Sequence, residues 1–229
     1  MIITSLFAMY SLAVPVGPSL SYVKNETSAL SGIGTARSGD KGGYITTLRL
    51  NVSQQNYAWK AYVGNISGNL VLENANNYSI YEWPAPTGNQ EVYISRNGTV
   101  NWNNINCSNR TIIQAEDTHL KLNSSNSNSI NKTFNGSIHK SFVVAGTTIV
   151  NSTCPAIATY VNDAAQTNNE AAKFQEVLLA DSTSNLVYAA LVDKATTGYD
   201  NTTYDFQVIV GEDESLATPT TYYFYVELA

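Results

Sequence analysis

Hydrophobic and polar residues take turns along most of this chain with a period of two, the spacing that sends alternate side chains of a β-strand to opposite faces. The pattern is densest over residues 57 to 83. Tyr57, Trp59, Ala61 and Val63 share one face, Lys60 and Tyr62 the other, and apolar positions return at Ile66, Leu70 and Leu72. A two-residue turn at Gly64-Asn65 would set Val63 opposite Ile66, Trp59 opposite Leu70 and Tyr57 opposite Leu72, all on one side. Gly in the first turn position suits type II′, which needs a positive φ there. The expectation is a half-buried antiparallel hairpin.

The same reading extends in both directions. Residues 44 to 53 alternate Leu48, Leu50 and Val52 against Thr47, Arg49, Asn51 and Ser53, a strand with one wet face. Ser79 to Trp83 reads as strand, and 84 to 89 as a Pro-rich loop. Glu91 to Arg96 and Thr99 to Trp102 flank Asn97-Gly98, a type I′ hairpin signal that would bring Tyr93 opposite Trp102. Thr111 to Leu122 is the one candidate helix, with a weak 3.6 period on Ile112, Ile113, Glu116 and Leu120. The Asn/Ser tract 123 to 131 and residues 162 to 173 read as loops, whereas Phe142 to Val150 and Ile157 to Val161 read as strands.

The last third is uninterrupted β pattern. Val177 to Ala180 and Leu186 to Val192 flank a Ser-Thr-Ser-Asn turn, and the continuous run 186 to 192 fits a central strand buried on both sides. Tyr204, Phe206, Val208 and Val210 share a face, as do Tyr222, Phe224, Val226 and Leu228. Some ten short strands with little helix predict an all-β fold, an antiparallel β-sandwich with one short helix at most. It would occupy residues 44–229, preceded by a Ser/Gly-rich linker at 23–43 and a signal-like apolar segment at 1–22.

That first segment carries an apolar run and a small-x-small end at Ser19-Leu20-Ser21, as a secretory signal does, but no basic flank. It is too short to span a bilayer as a helix. Two rival readings are a strand, Ile2 to Val16, donated to the sheet of a neighbouring subunit, and an N-terminal anchor helix. Membrane contact is therefore expected only through this segment, if it is uncleaved.

Composition changes the picture at one point above all. The glycan-acceptor motif Asn-x-Ser/Thr occurs at Asn25, Asn51, Asn65, Asn77, Asn97, Asn106, Asn109, Asn123, Asn131, Asn135, Asn151 and Asn201. The frequencies of Asn, Ser and Thr alone would give about five such motifs, so twelve are well in excess. An exported, N-glycosylated chain is the expectation. The two cysteines, Cys107 and Cys154, fit a disulfide in such a chain, with a two-cysteine metal site as the alternative. Charged residues make up only 13% of the chain and the net charge is −6, with Lys and Arg scattered singly. That argues against nucleic acid as a partner, which calls for a basic stripe.

The segment Trp59-Lys-Ala-Tyr-Val-Gly-Asn-Ile-Ser-Gly68, the Ile80-Tyr81-x-Trp83 after it and the ending Tyr222-Tyr-Phe-Tyr-Val-Glu-Leu228 resemble a family of secreted, largely uncharacterised archaeal proteins. The resemblance runs from about Gly43 to the end. It implies a cell-surface or exported β protein, with the cysteine pair 107 and 154 belonging to the pattern and no catalytic residues to carry over.

Chemistry is sparse. His119 and His139 have no paired spacing, and no nucleophile elbow, zinc-protease or phosphate-loop motif occurs. Glu82 and Glu91 flank one loop but read as solvated strand-end acids rather than a glycosidase pair. Asp193, Asp200 and Asp205, with Asn201, surround one loop and could offer oxygens to Ca²⁺, though at no recognised spacing. Glu212-Asp213-Glu214 reads as a solvated turn. Tyr62, Tyr223 and Tyr225 could form an exposed contact patch for sugars or subunits, against ordinary cross-strand pairing. No catalytic site, metal site or cofactor is expected. The sequence thus predicts a structural or adhesive cell-surface protein, a subunit of a surface layer, filament or adhesin, associating through sheet edges or a donated N-terminal strand. The alternative is a secreted module binding carbohydrate or a host surface without catalysis.

Overall fold

The computed structural model describes residues 47–56, 58–67, 69–73, 79–84, 91–213, 215 and 220–226; along 47–56, 67, 69–73 and 79–84 it describes the backbone alone. The N-terminal segment, the linker and the acceptors Asn25 and Asn77 lie outside the described residues. In chain order the elements are β1 (Thr47–Asn56), β2 (Trp59–Ser67), β3 (Asn69–Glu73), β4 (Ser79–Pro84), β5 (Glu91–Ser95), a 3-10 turn at Trp102–Asn104, β6 (Asn106–Cys107), α1 (Arg110–His119) and the single-turn α2 (Ile130–Thr133). There follow β7 (Phe142–Val144), β8 (Thr147–Ile149), β9 (Ala156–Ala158), β10 (Gln175–Ala180), β11 (Leu186–Leu191), β12 (Thr196–Thr197), β13 (Thr203–Tyr204), β14 (Phe206–Gly211) and β15 (Tyr223–Val226). The fold is all-β with antiparallel pairing, and α1 is the one helix longer than a turn or so among the described residues.

The main sheet has the order β15-β5-β11-β10-β6, with β9 joining β6 along the same edge of β10. Strict alternation divides its side chains. Val92, Ile94, Leu178, Tyr188, Ala190, Phe224 and Val226 point into one cluster; Tyr93, Val177, Leu179, Val187, Ala189, Leu191 and Tyr225 point into another. Both faces are therefore covered, which is why β10 and β11 are buried at every position. A smaller sheet, β1-β2-β14, packs on the first face through Ile66, Phe206, Val208 and Val210, and Ile113, Leu120, Ile130 and Phe134 of the α1–α2 region extend the same cluster. The second face is closed by Trp102, Ile105 and the β7–β8 hairpin, which contributes Phe142, Val144 and Ile149. Each such side chain, fully buried, stabilises the fold by about 1.5–3 kcal/mol.

Two predicted hairpins are absent. β2 runs straight through Gly64-Asn65, because both of its edges are occupied: Gly64 pairs with Leu50 of β1 and with Phe206 of β14. In a continuous strand Val63 and Ile66 fall on opposite faces, and they enter different clusters. Tyr62 turns with Ile66 toward the core, where it meets Phe224 edge-on at 5.0 Å. Leu70 pairs not with Trp59 but with Trp83, in the separate β3–β4 ladder, and Tyr57 lies outside the described residues.

At Asn97-Gly98 the chain turns without forming a hairpin. The two edges of β5 are already held by β11 and β15, so residues 99 to 101 leave the sheet and lead into the 3-10 turn. Tyr93 and Trp102 nevertheless meet, with ring centroids 5.3 Å apart, by packing rather than by strand pairing. The helix predicted at 111 to 122 is α1, whereas the tract read as loop at 123 to 131 ends in α2. β9 stops at Ala158, short of the strand predicted to Val161.

Candidate functional site

Polar chemistry is carried by the asparagine acceptors, the disulfide with the histidine beside it, the acidic residues around Asp193–Asp205, the Glu212–Asp213 pair and the buried Glu176. The disulfide is formed, Cys107 to Cys154, with a Cα–Cα distance of 4.8 Å, so the metal-site alternative falls. The sheet brings the two cysteines together. Leu178 of β10 accepts the Ser108 N–H at 3.0 Å and donates its own N–H to the Pro155 carbonyl at 2.8 Å, which places the residues after Cys107 and Cys154 side by side.

His139 is wholly buried beside this junction. Its Nε2 accepts the backbone N–H groups of Thr153 at 3.1 Å and Cys154 at 3.0 Å, and its Nδ1 lies 2.8 Å from the Lys140 carbonyl oxygen. Only the neutral ring protonated on Nδ1 satisfies all three contacts. Burial lowers the pKa of the ring, opposed by the bond to Lys140. His139 is thus a buried acceptor, whereas His119 is exposed at the end of α1.

The acidic loop does not present an open oxygen cluster. Asp205 takes the N–H of Ile66 and of Ala195, both at 2.8 Å. Asp193 takes the Phe174 N–H at 2.7 Å and two lysines, Lys140 and Lys173, at 3.3 Å. Asp200 accepts from Thr202 and from the Tyr204 hydroxyl, and Asn201 is exposed with φ 64°. Phe174 and Ala195 have left-handed backbone, φ 48° and 50°, an uncommon state for bulky or β-carbon-bearing residues, and the two buried carboxylates hold their N–H groups. Asp193 and Asp205 thus brace strained loops, a structural use of their oxygens. Among the described residues no three His, Cys, Asp or Glu side chains gather as a metal site.

Glu212 and Asp213 are an organised node and not the solvated turn expected. Glu212 is buried and ion-paired with Lys60, and it accepts from the Thr220 N–H and hydroxyl. Burial opposes ionisation, yet Lys60 and Thr220 hold its carboxyl below the ordinary range. Ser215 and then Lys121 draw Asp213 down to about 2. Glu91 is buried as well, not solvated. The tyrosine patch is likewise dispersed. Tyr223 is 43% exposed, but Tyr225 is 5% exposed in the second cluster, with its hydroxyl on the Asn97 carbonyl at 3.1 Å. Burial, followed by the charge of Glu212, pushes the half-buried Tyr62 hydroxyl up to about 12. Tyr62, Tyr223 and Tyr225 therefore share no open surface.

Sequence reasoning missed Glu176, wholly buried on β10 among apolar neighbours. One of its carboxyl oxygens accepts the Ile209 N–H of β14 at 2.9 Å, and the other has no hydrogen-bond partner among the described residues. Burial raises its pKa well above the usual carboxylate range. The only signal was parity, since Glu176 stands two residues before Leu178 on the same face.

The acceptors are mostly at the surface. Asn65, Asn106, Asn109, Asn123, Asn135, Asn151 and Asn201 are exposed, and Asn97 is half-buried. Asn65 stands within β2, not at a turn tip. Asn51 belongs to β1, whose backbone alone is described. Asn131 is buried, contrary to the wet position expected of it. Comparison with family models, with curated proteins and with solved structures returns no match.

Proposed function

We propose that this chain is an exported, N-glycosylated structural or adhesive protein of the cell surface, of the archaeal type its sequence resembles, serving as a subunit of a surface layer, filament or adhesin. The observation that carries the reading is the surplus of acceptor motifs together with their exposure: seven of the nine whose side chains are described are at the surface. The disulfide supports it, because such bonds persist in oxidising compartments. Support for a scaffold role over catalysis comes from the use made of the buried acids, which brace backbone and cations.

Contacts between copies would run along sheet edges, or through a donated N-terminal strand. β1 and β15 end their sheets, and no strand among the described residues pairs with their outer edges. The test is antibody labelling of intact native cells, followed by negative-stain microscopy. Surface label on an ordered lattice or fibre is the expected result. A dispersed monomer that binds saturably on a glycan array would favour the carbohydrate- or host-surface-binding reading, and label confined to the cell interior would overturn both.

A further inference from the structure

We propose that the fold sorts its own acceptor asparagines, leaving Asn131 bare in the mature protein while Asn65, Asn106, Asn109, Asn123, Asn135 and Asn201 carry glycan. The inference rests on the glycoprotein reading above and assigns its sites. The chemistry requires one atom. Nδ2 forms a bond to the anomeric carbon of a lipid-phosphate-linked oligosaccharide, the carbon–oxygen bond to phosphate breaks with its electron pair leaving on the phosphate, and one Nδ2 proton passes to base. The side-chain carbonyl Oδ1 is untouched and can go on accepting.

The acceptors differ in what Nδ2 is doing. Among the described residues Asn109 and Asn123 engage only Oδ1, with the Ile112 N–H at the start of α1 and with the Ser125 N–H, both at 3.0 Å. A glycan on Nδ2 leaves each of those bonds intact. Asn65, Asn106, Asn135 and Asn201 are exposed, and their side chains make no hydrogen bond among the described residues. Asn131 is the opposite case. It is 5% exposed, its Nδ2 donates to the Ser124 carbonyl at 3.0 Å, and its backbone N–H is held by Asp117, itself wholly buried, at 3.2 Å. Asp117 also takes the Ile130 N–H at 2.7 Å, and Ile130 and Phe134 of this segment fill the first core cluster.

A sugar on Asn131 has nowhere to go while that junction is closed. If modification follows folding, the transferase does not reach Nδ2; if it precedes folding, a chain modified there does not close α1 against α2. Either order yields a folded protein with Asn131 bare. Asn97 and Asn151 fall between, because Nδ2 of Asn97 donates to Asn185 at 2.9 Å in a half-buried site and Nδ2 of the exposed Asn151 is held by Glu170.

Site-resolved glycopeptide mass spectrometry of the protein from its native cells tests this. The expected result is glycan on the six named sites and an unmodified peptide at Asn131. Glycan on Asn131 in most folded molecules overturns the sorting and leaves the glycoprotein reading standing. Bare asparagine at every acceptor overturns both. A pair of variants expressed in the same cells gives a second reading that spares the Asn131 hydrogen bonds. Thr133→Ala, which destroys that acceptor motif, should leave the glycan mass unchanged. Ser137→Ala, which destroys the motif of Asn135, should remove one glycan. Loss of a glycan from Thr133→Ala would contradict the proposal.

Discussion

At the scale of single residues, two buried titratable groups make opposite predictions for pH. His139 is neutral in the fold because its Nε2 must accept two N–H groups, and burial holds its pKa below the unfolded value of about 6.5. The unfolded chain then takes up the proton first. The contribution of His139 is complete above about pH 6.5 and is lost as the pH falls through that value toward the folded one. His139→Gln, which can keep an acceptor in place of Nε2, should cost about 1–2 kcal/mol at neutral pH and flatten the acid slope; urea titrations from pH 7 to 5 measure both. An unchanged slope would show that another group sets it.

Glu176 has the reverse sign. Its folded pKa is raised, so its contribution is complete below the unfolded value of about 4.5 and fades as the pH rises through the folded value. Glu176→Gln keeps an oxygen for the Ile209 N–H and cannot ionise in either state. It should be more stable than the parent by about 1–3 kcal/mol at mildly alkaline pH, with the gap closing toward pH 4 in the same titrations.

At the scale of elements, the disulfide makes the sharpest prediction. Cys107 and Cys154 are 47 residues apart, and the loop they close contains α1, α2 and the β7–β8 hairpin. Reduction should cost about 4 kcal/mol if chain entropy in the unfolded state dominates. Denaturant unfolding with and without reductant checks this, and Cys107→Ser with Cys154→Ser should reproduce the loss. Elements were legible in the sequence wherever a face had one job. The buried runs of β10 and β11, the alternation of β14 and β15, and the helix at α1 all follow from periodicity.

Partners were not legible. Gly64-Asn65 has the residues of a tight turn, but turn preference of this kind is small beside the ladder bonds that β2 makes along both edges. Asn97-Gly98 failed as a hairpin for the same reason, seen from β5. The exposure of tyrosines failed by parity: losing the turn at Gly64 sends Tyr62 inward, and a sheet covered on both faces takes in Tyr225. The roles of His139 and Glu176 were not legible because the groups that hold them, the Cys154 and Ile209 amides, are 15 and 33 residues away in the chain.

At the scale of the whole molecule, an apolar sheet is wrapped on both sides, and the acceptor asparagines stand mostly outside the wrapping. Intact mass of the protein taken from its native cells, recorded before and after deglycosylation and then after reduction, tests that picture most directly. The account predicts a mass above that of the polypeptide by several glycans, collapse to the polypeptide mass on deglycosylation, and a gain of one pair of hydrogens on reduction. A native mass equal to the bare chain, with both thiols free, would contradict it.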